Sequence, residues 1–232
     1  MYKKLRRNAA ISIIDPDYAV IEHQLEYMSR FTQNRYRCIL DYGAGNSPYK
    51  SSFNFDGYIT ADIEQNRSEN IDIIVDKNNP VIDLKSESVD LILCMDVLEH
   101  VYDDKKILKM LLALLEQGGT MMLSLPFLYR EHEYPYDYRR YTSSGIRALL
   151  AEAGFSDIQV TKIGNPFFVA WNVCYERQLK NYERDETGFV ERIMWKIVNR
   201  TILPILNCTL FKTKCKEADG IFSRMLVIAR KL

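Results

Sequence analysis

Seven short apolar runs punctuate the chain: Cys38–Asp41, Tyr58–Asp62, Ile71–Val75, Val89–Met95, Thr120–Leu125, Asp157–Ile163 and Arg224–Arg230. Several are nearly continuous, the pattern of parallel strands covered on both faces. Helical periodicity lies between some of them. Tyr18–Asn34 predicts a helix before the first strand. Asp104–Leu115 carries a leucine-rich face and is expected to stop at Gly118-Gly119. Ser143–Ala153 sets Ile146, Leu149, Leu150 and Ala153 at i, i+3, i+4 and i+7, with Gly154 as its stop. This alternation predicts an α/β fold with a mostly parallel sheet.

Two stretches depart from the pattern. Only eight residues separate Asp62 from Ile71, fewer than the dozen or so a parallel crossover takes, so a loop or single turn is expected there. From about Asn165 to Ala218 the chain reads as a helical insert before the last strand. Phe167, Phe168, Trp171, Tyr175, Trp195 and the run Ile202-Leu203-Pro204-Ile205-Leu206 lie within it. Pro204 is expected to kink or stop its helix.

Composition narrows the class. The chain has 232 residues, 47% hydrophobic and 27% charged, which suits a globular fold with a real core, as one domain with room for an insert or as two small ones. Lys+Arg 31 balances Asp+Glu 31, so an electrostatic nucleic-acid binder is not expected. The balance hides an asymmetry. Residues 41–104 carry 14 acidic and 4 basic side chains, whereas residues 177–216 carry 9 basic and 4 acidic. The middle favours a cationic ligand and the tail an anionic surface. Cys38, Cys94, Cys174, Cys208 and Cys215 form no C-x-x-C pair and read as reduced thiols of a cytoplasmic protein. Met1–Arg7 is basic, but the apolar stretch Ala9–Ile14 is too short for a signal segment, and no run is long enough to predict a membrane span.

Candidate chemistry gathers at strand ends. Cys38-Ile-Leu-Asp41 runs into Tyr42-Gly43-Ala-Gly45, a turn that lets backbone approach a ligand. Pro48 stands where a dinucleotide fingerprint has its third glycine, which argues against a nicotinamide-dependent oxidoreductase. Asp62 closes the second run and suits a pair of ribose hydroxyls. The fourth run ends in Met95-Asp96-Val-Leu98-Glu99-His100. A solvated cap explains each acid equally well in isolation. Asp96, Glu99 and His100 begin a helical turn, and no metal site is expected from them.

In order and spacing these motifs resemble the class I S-adenosylmethionine-dependent methyltransferases, in particular the branch with Leu-Glu-His after the fourth strand. The resemblance runs from about Tyr36 to Ile163 and recurs at Met225–Lys231. It implies a Rossmann-like seven-stranded sheet with helices on both faces and an antiparallel last strand. One domain would then span residues 1–232, with an N-terminal helical segment (1–35), a cofactor core (36–163), the insert (164–218) and a final strand (219–232). It also implies roles. The Asp41–Gly45 turn, with Gly43, holds the methionine part of S-adenosylmethionine. Asp62 takes the ribose, Ile63 packs on the adenine and Asp76 meets the adenine amino group. Met95 and Asp96 line the other side, and His100 lies near the cofactor's carboxylate.

The segment Pro126–Thr142 packs His132, three acids, three arginines and five tyrosines after the fifth strand. It resembles the Pro-Phe…His…Pro-x-Asp-aromatic-x-Arg-aromatic-Thr stretch of small methyltransferases encoded with bacterial surface-polysaccharide genes. Some relatives act on other small metabolites. The resemblance implies a saccharide-linked acceptor. His132 is the candidate base and Asp137 its orienting partner or substitute, while Tyr129, Tyr134 and Tyr138 are candidate substrate walls. Arg140 either binds a substrate anion or pins the loop through Asp137. The insert either covers the core, meets a second subunit in a homodimer, or touches a membrane through Trp195, Lys196, Arg200, Lys212, Lys214 and Lys216. A non-catalytic cofactor-binding protein of the same fold is the competing reading.

Overall fold

The computed structural model describes residues 17–183, 188–211 and 220–232. Cys215, Lys212, Lys214, Lys216 and the basic start of the chain lie outside them. Seven strands form the sheet: β1 (Arg35–Tyr42), β2 (Asn54–Asp62), β3 (Ile73–Ile74), β4 (Val89–Met95), β5 (Leu115–Pro126), β6 (Ser156–Ile163) and β7 (Arg224–Arg230). Their order is β3-β2-β1-β4-β5-β7-β6. Strands β1 to β5 pair in parallel, and β7 inserts antiparallel between β5 and β6. This is the Rossmann-like, mostly parallel sheet expected.

Period-two alternation splits the central strands between two cores. Leu40, Ile92, Cys94, Met121, Leu123 and Val227 face one core, beneath α2 (Asp104–Leu114) and α3 (Ser143–Ala153). Ile39, Leu91, Leu93, Met122, Leu226 and Ile228 face the other, beneath α1 (Tyr18–Met28) and Phe168 of α4 (Pro166–Glu183). Both faces of the central strands are therefore dry. The Thr142 hydroxyl accepts from Gly145 N at the start of α3, and Gly154 ends it at φ 106°.

Three expectations are corrected. Helix α1 ends at Met28, and residues 29–34 form turns in which the Thr32 and Ser29 hydroxyls bond back to backbone carbonyls. Helix α2 ends at Leu114, and β5 begins at the next residue, so Gly118-Gly119 lies within β5 and stops nothing. Leu115 already pairs with Val89, and Gly118 and Gly119 exchange backbone bonds with Lys231. Of the kink or stop expected at Pro204, the stop does not occur. From α5 (Phe189–Ile197) the helical run continues through Val198–Ile202, α6 (Leu203–Leu206) and Asn207–Phe211. The turns on both sides of α6 are π-helical, a widening that accommodates a ring without an N–H.

The thin link after β2 is a loop. Asp72 accepts from both the backbone and the hydroxyl of Thr60, and Gln65 exchanges hydrogen bonds with the Ile71 backbone. Side chains thus replace the missing helix, and β3 shrinks to two residues. In the insert, Phe168 and Leu203 are fully buried, whereas α5 buries no residue. Among the described residues no helix is long and apolar enough to cross a membrane. Cys38, Cys94, Cys174 and Cys208 are free thiols.

Candidate active site

The C-terminal ends of β1, β2 and β4 open into a cleft of about 260 Å³. An open α/β sheet places ligands at these ends. Tyr42, Ala61, Val75, Pro80, Val97 and Val101 form apolar walls, and Gly43, Gly45, Asp62, Ile63, Asp96 and His100 line it as well. Of the nine residues assigned to the cofactor, six therefore meet in one cleft. Asp41, Asp76 and Met95 are not among its lining residues.

The glycine turn is held tightly. Gly43 N and Ala44 N both donate to Ala61 O, at 2.8 and 3.1 Å. Gly43 has φ 75°, and a Cβ there would lie 2.2 Å from Val97 Cγ2. Only glycine meets both demands. At Gly45 a Cβ would meet nothing within 4 Å, so the turn leaves open space above it. Asp62 accepts from Gly45 N through Oδ2 and from Ile63 N through Oδ1, both at 2.7 Å. Each carboxylate oxygen keeps a lone pair for a further donor.

Asp41 lies beneath this turn. It is 3% exposed and accepts a 2.7 Å hydrogen bond from Tyr58 Oη. Burial pushes its carboxyl up to about 7, against the lowering effect of the Tyr58 bond. The Tyr58 phenol is raised in turn by burial and by Asp41. Asp76 Oδ1 accepts from Asn78 N at 2.9 Å and so shapes the loop after β3. Met95 packs into the α1-side core.

The end of β4 carries the charges. Asp96 has φ 56°, an uncommon left-handed conformation for a side-chain-bearing residue. Its Oδ2 lies 2.6 Å from Arg224 Nη1, while the buried Oδ1 has no hydrogen-bond partner. Arg224 also donates to Gln24 at 3.3 Å. Glu99 follows in the turn Leu98–His100 and is fully buried. Burial, with the Asp96 charge, pushes its carboxyl up to about 8.

The segment after β5 closes the other end of the cleft. Glu133 and Tyr136 join its lining, and Lys77 lies 3.6 Å over the Tyr136 ring. His100 Nδ1 is 3.1 Å from Tyr136 O. The His100 and His132 rings meet edge-on at 4.7 Å, and Tyr129 stands 5.5 Å from His132 on another side. His132 Nδ1 is 3.1 Å from Asp137 Oδ2, which also accepts from His132 N. Arg140 grips Asp137 with both Nη atoms, at 2.5 and 2.7 Å, and donates to Arg130 O. Burial acts to raise the Asp137 carboxyl, but Arg140 and the His132 backbone outweigh it and hold it down at about 2. Arg140 is thus engaged in pinning the loop. Tyr134 is 87% exposed, and Tyr138 sits edge-on to Tyr102 at 5.5 Å.

Arg224, Lys77 and Tyr136 carry no signal in the sequence that marks them as site residues. Arg224 lies far along the chain from Asp96, and a basic residue opening an apolar strand gives no hint of its partner. Glu99 was visible within Leu-Glu-His, but its burial was not.

A family model described as a methyltransferase domain matches residues 15–160, and the chain belongs to that family. S-adenosylmethionine is the family's cofactor. The open turn at Gly45, the exposed apolar Ile63 and the unpartnered Asp96 oxygen fit such a ligand. Solved structures with this fold include a methyltransferase from Archaeoglobus fulgidus, dependent on that cofactor (TM-score 0.55, 14% identity, covering 92% of this chain and 94% of that one). Another is phosphoethanolamine N-methyltransferase 2 of Haemonchus contortus in complex with S-adenosyl-L-methionine (TM-score 0.53, 16% identity, covering 90% of this chain). The present chain spans only about half, 52%, of that enzyme's length. No curated protein matches the sequence.

Proposed function

We propose that this protein transfers the methyl group of S-adenosylmethionine to a hydroxyl of a small, saccharide-linked acceptor. The observation that carries this reading is the cleft itself. Gly43, Gly45, Asp62, Ile63 and Asp96 line it at the strand ends, and the loop bearing His132 borders it at the other end. In this reading Asp62 holds the ribose, Ile63 covers the adenine, and the ends of β1 and β4 hold the cofactor's amino-acid part. Asp41 acts from beneath the turn, and Asp76 from the loop beside the adenine. Tyr129, Tyr134 and Tyr138 border the acceptor.

The reaction is an in-line displacement. The acceptor oxygen attacks the methyl carbon, the carbon–sulfur bond breaks, and S-adenosylhomocysteine leaves. The sulfonium is already activated, so the protein aligns the acceptor and removes its proton. His132 is the proposed proton acceptor at Nε2, with Asp137 against Nδ1 and Arg140 fixing Asp137.

Calorimetric titration with S-adenosylhomocysteine, beside NAD and an Asp62→Ala control, tests the first half of this reading. Saturable binding of the first ligand alone, weakened in the variant, is expected. A folded protein that binds neither would refute it. Methyl incorporation into a panel of sugars and sugar nucleotides tests the acceptor.

A second proposal concerns location, at the cytoplasmic face of a membrane. Val190, Ile193, Met194 and Ile197 of α5 are exposed at helical spacing, and Lys196 and Arg200 fall along one flank of that stripe by the same spacing. An apolar ridge with a basic flank suits an anionic membrane surface. Sedimentation with anionic vesicles, lost in Ile193→Glu, is the expected result. Dimerisation abolished by the same change would assign the ridge to a second copy instead.

A further inference from the structure

We propose that Glu99, His100 and His132 form a binding site for a divalent transition-metal ion at the acceptor end of the cleft. One ligand atom from each of the three lies within 4.8 Å of the other two. His100 Nε2 is already 3.8 Å from Glu99 Oε1. Metal bonds of about 2.0–2.2 Å set neighbouring ligands roughly 3.3–3.6 Å apart around a tetrahedron, so the set must close by about an ångström. His132 sits on a loop, where such a movement is available.

Each ligand is prepared for the role. His100 Nδ1 faces the Tyr136 carbonyl, which can only accept, so Nδ1 carries the proton and Nε2 the lone pair. Asp137 Oδ2 lies 3.1 Å from Nδ1 of His132 without the geometry of a hydrogen bond, and it accepts from His132 N, so it fixes where the ring sits rather than its tautomer. A carbonyl or carboxylate behind a ligating imidazole is the usual support of a metal-bound histidine. Glu99 supplies the independent observation. It is fully buried, and neither carboxylate oxygen has a hydrogen-bond partner. A buried acid without a donor is costly, and a cation between it and the two imidazoles satisfies it.

Two imidazoles and one carboxylate suit zinc, cobalt, nickel or ferrous iron better than magnesium or calcium. Three protein ligands leave a position open, and His100 already lines the cleft on that side. Under the methyl-transfer reading, on which this last step rests, the open position takes the acceptor oxygen. With the ion bound, the hydroxyl loses its proton to solvent and His132 acts as ligand; the base role proposed above applies to the metal-free protein.

The test does not depend on turnover. The full chain carrying Cys174→Ser, Cys208→Ser and Cys215→Ser is stripped with chelator and titrated with Zn²⁺ by calorimetry and with Co²⁺ by visible absorption. One saturable site per chain is expected, with the intense absorption of low-coordinate Co²⁺. Glu99→Gln and His132→Ala should each weaken binding by at least ~10-fold, no less than the loss of an outer-shell partner, while His23→Ala, which removes the third histidine of the chain, should not. Binding that survives both site variants, or no saturable binding, would overturn the proposal. Should Glu99→Gln fail to fold, His132→Ala on the exposed loop still decides. S-adenosylhomocysteine binding in the same protein separates failure here from failure of the methyl-transfer reading.

Discussion

Asp41 offers a test in which stability and binding should move in opposite directions. Its folded carboxyl titrates near 7, against an ordinary value of 3.8. The folded state therefore holds this proton more tightly than the unfolded chain does. The benefit is full below about pH 4 and is lost as the pH climbs through 7. About three units at ~1.4 kcal/mol each give a ceiling of ~4 kcal/mol lost by the wild type over that range. Asp41→Asn keeps an oxygen for the Tyr58 hydroxyl but brings an amide whose donors lack partners, a cost of about 1–3 kcal/mol. We expect the variant to gain on the wild type by a few kcal/mol between pH 4.5 and pH 8, as read by urea unfolding without cofactor. We also expect it to bind S-adenosylmethionine more weakly, because in the proposed placement the cofactor's cationic amine loses a nearby acid. A stability difference that does not change with pH would refute the reasoning, since Asp41 would then be ionised throughout.

Gly43→Ala puts a methyl group on Val97 and strains a φ of 75°, costing about 1–2 kcal/mol in backbone alone; cofactor affinity should fall by at least ~10-fold in calorimetry. Arg224→Met leaves Asp96 without its 2.6 Å partner and should lower stability by about 3 kcal/mol in urea melts. Thr142→Ala removes the cap of α3 and should cost about 1 kcal/mol without altering cofactor affinity. His132→Ala should reduce methyl transfer by about 10²–10⁴-fold while S-adenosylhomocysteine still binds.

The sheet was legible where local signals agree. Val89–Met95 and Arg224–Arg230 are unbroken apolar runs, and both strands have those bounds. Ser143–Ala153 has its cap, stripe and glycine stop in sequence, and α3 follows them. The glycine pair misled because its role is tertiary: Gly118 bonds to Lys231, a partner no local window contains. Strand-end acids announced the cleft, since a polar residue closing an apolar strand falls at the sheet's mouth. Their partners did not announce themselves. The Asp96–Arg224 pair and the meeting of His100 with His132 arise only once distant segments fold together.

The place of β7 bears on how the molecule is made. It is the last of the seven strands to leave the ribosome, yet it lies between β5 and β6. Until it arrives, both neighbours present open edges to other chains. Arg224 opens this strand, so Asp96 has no counter-charge before then. A nascent chain can assemble β1 to β4 and the glycine turn, but the charged corner of the cleft is finished by the final strand. Synthesis and completion of that corner are therefore coupled, and crowding of unfinished chains should fall most heavily on the β5 edge.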